Sequence, residues 1–125
     1  MQELLWVALG GIAGAWCRFW VGKFTARHYS ASFPVSTLII NFAGSLVIGF
    51  FLVWTSERVL ADPRWRLLVA VGFCGAFTTF SSYAFETFKL FEQGAFFLAI
   101  LNVASNNLLA LSGVVLGAIA ARRVG

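Results

Sequence analysis

The sequence predicts an all-α integral membrane protein with four transmembrane helices, the third of them broken near Gly75 to Thr79. Composition comes first: 60% of the residues are hydrophobic and 11% charged, against about 25% charged in soluble domains. Length comes second: at about 20 residues per crossing helix, 125 residues allow four spans and almost no soluble domain. Third, the apolar residues fall in four long runs, roughly 4–24, 35–55, 65–91 and 94–121, within a single transmembrane domain, 1–125.

The net charge of +4 raises the question of a nucleic-acid partner. The nine basic residues argue against nucleic acid, because they are scattered among the helix ends. Basic flanks on a membrane protein follow from topology and from anionic lipid in the bilayer. Cys17 and Cys74 both lie in apolar helix and read as small buried hydrophobes, with no zinc-site or disulfide spacing. The N-terminal run MQELLWVALGG lacks a basic n-region and reads as a retained helix, not a cleaved signal peptide.

In the first helix, Gly10 and Gly14 form a GxxxG with Gly11 beside them, a spacing that lets two helix backbones approach closely. Arg18 follows four residues after Gly14. Two readings of it stand: a snorkelling arginine near a helix end, or an arginine at a pore vestibule, where it attracts anions. Lys23, Arg27 and His28 fall in the connection 23–34, with His28 read as a solvated loop residue, and Pro34 opens the second helix. Along that helix Asn41, Gly44, Ser45 and Gly49 fall near one stripe. An amide in hydrocarbon must find partners, so Asn41 either makes an interhelical hydrogen bond or turns its N–H donors to an ion path. The charges of 57–66 read as a solvated connection.

The third helix carries GFCGAFTTFSSYAFE, Gly72 to Glu86. A plain anchor would carry Leu and Val there. Irregular backbone at membrane depth is tolerated only where it is buried in protein or lines a water-filled path, and Ser and Thr side chains can satisfy the groups it frees. Phe80 and Tyr83 are three apart and share a helix face. Glu86 is read as a packing or orienting carboxylate. In the fourth helix Asn102 and Asn106 share a face with Asn107 beside them, and Gly113 and Gly117 form a second GxxxG.

With four spans, both termini and the second connection lie on one side, with Arg58, Arg64, Arg66, Arg122 and Arg123. Lys23, Arg27 and Lys89 lie on the other, with Arg18 near it. So weak a bias permits both insertions, and with them an antiparallel, dual-topology homodimer about an axis in the membrane plane.

No nucleophile–histidine pair, paired carboxylates or transition-metal ligand cluster is visible in the sequence, which argues against an enzyme. Transport fits better. The deep polar groups, Asn41, Ser81, Asn106 and the backbone around Thr78, are neutral donors, whereas cation paths more often carry Asp or Glu rings. Neutral donors can replace part of an anion's hydration shell without trapping it, and the electropositive edge of a ring such as Phe80 can face a small anion. A small multidrug-type cation/proton antiporter is the alternative, but it needs a carboxylate at the centre of helix 1, and Glu3 stands at its start. A non-transporting helper subunit is a third reading, against which the polar stripe on helix 3 argues.

The segments GGIAGAWCRF, NFAGS and GFCGAFTTFSSYAFE, in this order and spacing, resemble the small bacterial fluoride channels of the CrcB or Fluc family along the whole chain. The resemblance implies an antiparallel homodimer in the bacterial plasma (inner) membrane, with two fluoride pores lined by both copies. Phe80 would be the first pore phenylalanine, Tyr83 would stand at the second with a hydroxyl added, and Asn41 and Ser81 would be pore residues. Arg18 would be the vestibule arginine. Backbone carbonyls of Gly75 and Thr78 from both copies would hold a structural Na⁺ at the dimer centre, hard oxygen ligands suiting that ion. Ala84 and Val114 depart from the family's serine and threonine, leaving Ser112, Asn106 or water to substitute. The implied activity is passive: fluoride that entered as neutral HF leaves down its electrochemical gradient.

Overall fold

The computed structural model describes residues 1–29, 32–58 and 62–125. Parts of both polar connections read from the sequence, Ser30 with Ala31 and 59–61, lie outside the described residues. The described chain is helical, with no strand among the described residues. Four stretches are long and apolar enough to cross a membrane: Gln2–His28, Val35–Ser56, Pro63–Glu92 and Phe96–Val124. The chain is therefore a multi-pass membrane protein.

Helix α1 spans Gln2–His28. It takes Lys23, Arg27 and His28 into the helix, where the connection was expected to have begun. Thr25 Oγ1 donates back to the carbonyls of Val21 (2.8 Å) and Gly22 (3.0 Å), and the His28 ring stacks on Phe24. Helix α2 spans Val35–Ser56, with Pro34 as the residue just before it. The third span begins with a short helical turn, α3 (Pro63–Trp65), capped by the Asp62 side chain, which accepts from Arg64 N. It widens into a π-type stretch at Arg66–Cys74 and returns to α-helix in α4 (Gly75–Phe77). Thr78 and Thr79 then run extended (ψ 157° and 109°) before α5 (Phe80–Glu92). Gly94 makes the turn into α6 with φ +73°, a left-handed value that glycine adopts without steric cost. Helix α6 spans Phe96–Val124.

Two parallel helix pairs form the body, each zipped by glycine. A Cβ on Gly10 would collide with the Leu68 carbonyl, and one on Gly14 with the Phe73 carbonyl. Gly72 meets the backbone of Val7 and Gly10 from the other side. The first GxxxG therefore seats α1 on the third span. The second seats α6 on α2: Gly117 lies against the Leu46 carbonyl, and Gly49 of α2 against the Val114 carbonyl. Between helices that share an apolar solvent with lipid, close packing of this kind is a main source of association.

The core this leaves is thin. Ile40, Cys74, Phe77, Leu90, Ala99 and Ala121 are buried, while Trp16, Phe19, Phe85, Phe97 and Leu108 face outward, as suits a surface whose solvent is lipid or another apolar helix. The two cysteines part company: Cys74 is buried, but Cys17 is exposed, against the expectation of two buried hydrophobes. At one end of the bundle Arg122 Nε bonds Glu57 Oε1 at 3.0 Å, which places the end of α6 beside the second connection.

Candidate functional site

The extended pair Thr78–Thr79 is where the third span gives up its helical hydrogen bonds, and side chains from two neighbours replace them. Thr79 N–H, which an unbroken helix would give to the Gly75 carbonyl, donates instead to Asn41 Oδ1 (2.9 Å). Asn41 Nδ2 donates to the Thr79 carbonyl (3.1 Å) and to Asn106 Oδ1 (3.1 Å). One amide thus closes a two-bond clasp on the break and ties it to α6. Thr79 also serves as the N-cap of α5. Its backbone is extended and its Oγ1 accepts from Ser82 N (3.2 Å), the arrangement that satisfies a helix's first free N–H groups. Thr78 Oγ1 bonds back to the Cys74 carbonyl (2.8 Å).

A polar chain continues from there. Asn106 Nδ2 donates to the carbonyl (3.1 Å) and the side-chain oxygen (2.8 Å) of Asn102. Asn102, 0% exposed, donates to Thr87 Oγ1 (2.9 Å), which donates to the Tyr83 carbonyl (2.8 Å). Every amide proton of Asn41 and Asn106 therefore has a protein acceptor. Of the two readings of Asn41, the interhelical bond is the one its geometry displays.

Beside the break lies a cleft of about 420 Å³. Asn41, Gly75, Thr78, Thr79, Phe80, Tyr83 and Asn106 line it, together with Ser45 and Asn107. Phe80 and Tyr83 meet edge-on, with ring centroids 5.2 Å apart and planes at 63°. Phe80 is 76% exposed, whereas Tyr83 is buried. Ser81 and Ser112 are exposed and do not line the cleft; Ser81 Oγ lies 3.5 Å from Thr79 Oγ1. Arg18 reaches the break from α1, its Nη1 donating to the Thr78 carbonyl at 3.4 Å.

The Gly75 and Thr78 carbonyls, expected to hold sodium, differ in their hydrogen bonds. The diversion of Thr79 N–H to Asn41 deprives the Gly75 carbonyl of its helical donor, and a Cβ at Gly75 would meet nothing within 4 Å. That oxygen suits a hard cation. The Thr78 carbonyl keeps a second lone pair, but its first accepts from the Arg18 guanidinium, whose positive charge works against a cation at that oxygen.

Two threonines, Thr37 and Thr87, hold polar partners that the spacing of the sequence marks only weakly. Thr37 Oγ1 donates to Glu86 Oε1 (2.7 Å), while Glu86 Oε2 has no partner among the described residues. The sequence signal for Thr37 was its place four residues before Asn41, on the same helix face. Thr87 stands four residues after Tyr83, likewise on the same helix face.

Fold and cleft define a four-span membrane protein with a polar seam at a helix break. The chain belongs to the family described as CrcB-like protein, Camphor Resistance (CrcB), whose profile matches residues 5–118. Curated relatives carry the name fluoride-specific ion channel FluC. The one from Koribacter versatilis is 55% identical over 114 residues, covering 91% of this chain and 90% of its own. Those from a Sulfurihydrogenibium species and from Solibacter usitatus are 41% and 37% identical, over 93% and 98% of this chain and 97% and 100% of theirs.

Proposed function

We propose that this chain is a fluoride-specific ion channel, not an enzyme, that exports fluoride passively across the bacterial inner membrane. Whole-length likeness to relatives bearing that name carries the reading. The cleft at the break is what this chain brings to it. Two copies in opposite orientation would complete two pores. The exposure of Phe80 and the open space over Gly75 support a second copy against this face. Gly75 and Thr78 carbonyls would hold a structural sodium ion there, supplying a fixed positive charge at the joint between copies.

In this reading Asn41 and Asn106 brace the wall, since their N–H groups are already engaged. The ring edges of Phe80 and Tyr83, with the hydroxyls of Ser81 and Ser112 along the faces a second copy would cover, offer weak positive potential to a bare anion. Arg18 biases the approach toward anions. A membrane potential that is negative inside favours exit by about 2.3 kcal/mol per charge per 100 mV, so neither nucleotide nor coupling ion is required.

The test is efflux from liposomes containing the purified protein and loaded with fluoride or chloride, read with ion-selective electrodes. Rapid fluoride release with chloride retained is the expected result. Vesicles that hold fluoride as tightly as protein-free ones overturn the reading.

A further inference from the structure

Tyr83 has a polar neighbour that the network around Asn41 does not use. Asn107 Nδ2 donates to the phenol oxygen of Tyr83 at 3.3 Å and to the Val103 carbonyl at 2.8 Å. The second bond decides the direction of the first. A carbonyl can only accept, so the amide end facing Val103 is the NH₂ end, and its other proton is the one aimed at Tyr83. The phenol oxygen is therefore the acceptor in this pair, and its own proton is left over. Among the described residues no acceptor takes that proton, and both Tyr83 and Asn107 line the cleft.

Building on the channel reading, we propose that the Tyr83 hydroxyl is an anion-binding donor in the cleft, and that Asn107 is the residue that positions it. With Asn107 donating into the oxygen from α6, the O–H is free to point into the cleft that Tyr83 and Phe80 both line. An amide donating into a hydroxyl also polarises it and strengthens its outgoing bond. A hydrogen bond to an anion is about twice as strong as a neutral one. The ring itself is held edge-on to Phe80 and its backbone carbonyl is tied through Thr87 to the fully buried Asn102. The donor thus sits on a fixed wall, with little rearrangement needed to meet an ion.

The test measures initial fluoride efflux against internal fluoride concentration in proteoliposomes for wild type, Tyr83→Phe, Asn107→Leu and the double variant. Tyr83→Phe removes one oxygen and keeps the ring, so the fold has no reason to fail. It is expected to raise the half-saturating fluoride concentration about tenfold, as loss of one hydrogen bond to an ion predicts. Asn107→Leu frees the hydroxyl to rotate and is expected to raise it about threefold. In the double variant Asn107→Leu is expected to add nothing, the coupling that marks one residue acting through another. A merely structural Asn107 would instead lower efflux equally with and without the hydroxyl, and that additivity overturns the positioning role. Tyr83→Phe saturating as wild type does, in a wild type that conducts fluoride, overturns the donor alone. A wild type that releases no fluoride overturns the channel reading and this inference together.

Discussion

Replacing Asn41 by Leu, similar in size, tests the clasp at the break. The substitution strips the partner from two groups, the Thr79 N–H and Asn106 Oδ1, while the Thr79 carbonyl, the N-cap oxygen of α5, loses one donor and keeps the first bond of that helix. Thr79 and Asn106 are 6% and 5% exposed, so lipid-side water does not reach them freely. Each buried group left without a partner costs about 1–3 kcal/mol, which places the loss at about 2 kcal/mol if the adjoining cleft admits water and at up to about 6 if it does not. The cleft touches both Thr79 and Asn106, so the lower figure is expected. Asn41→Asp keeps the acceptor for Thr79 N–H and loses both donated bonds. It is expected to cost about 1 kcal/mol by the same reckoning, Asn106 Oδ1 being the one group left unpaired, and to block fluoride besides by placing an anion in an anion's path. The assay is reversible denaturant unfolding in mixed micelles at one fixed protein concentration, followed by near-UV circular dichroism. Asn41→Leu unfolding within about 0.5 kcal/mol of wild type, the scatter of an uncoupled surface change, would refute the clasp.

Other outcomes follow from the same geometry. Phe80→Ile with Tyr83→Ile is expected to abolish fluoride efflux while the protein keeps its oligomeric size on gel filtration, Phe80 being exposed and the buried Tyr83 giving way to another apolar side chain; normal efflux would dismiss the ring edges. Removal of Na⁺ from both sides of the membrane is expected to stop conduction or loosen the pair of copies, measured by efflux and by cross-linking; indifference to Na⁺ would dismiss the carbonyl site at Gly75 and Thr78. Gly14→Ala drives a methyl into the Phe73 carbonyl and is expected to destabilise by about 1–3 kcal/mol, the usual cost of overpacking. Gly22→Ala, whose nearest neighbour is Ser36 Oγ at 3.7 Å, is expected to be neutral in the same unfolding assay.

Some of this architecture was readable from residue order because the bilayer narrows the choices. Lipid demands that every backbone group be satisfied within the span, so long apolar runs mean helices, and the number of runs is the number of spans. The two GxxxG pairs announced close helix contacts for a related reason, since only missing side chains allow backbones to approach that far. Which helix each would meet was not in the pattern: spacing marks a face and names no partner. Asn41 shows the same division. A lone amide at that depth had to be bonded to something, yet whether its protons served an ion or the chain depended on Thr79 arriving from 38 positions away. Ser81 reads from the sequence as a deep donor beside an ion path, but helix rotation leaves it exposed and outside the cleft that Tyr83 lines.

Residue order alone thus determined the class of protein, the spans and the stretch where the third one carries its polar residues, because those depend on local composition against a known solvent. Only the tertiary structure decided that Asn41, Asn106, Asn102 and Thr87 form one hydrogen-bonded line and that Asn107 turns toward Tyr83. The reason is geometric. Hydrogen bonds between helices depend on how far each is rotated about its axis, and that rotation is set where glycine surfaces lock together, not by the residues that make the bonds.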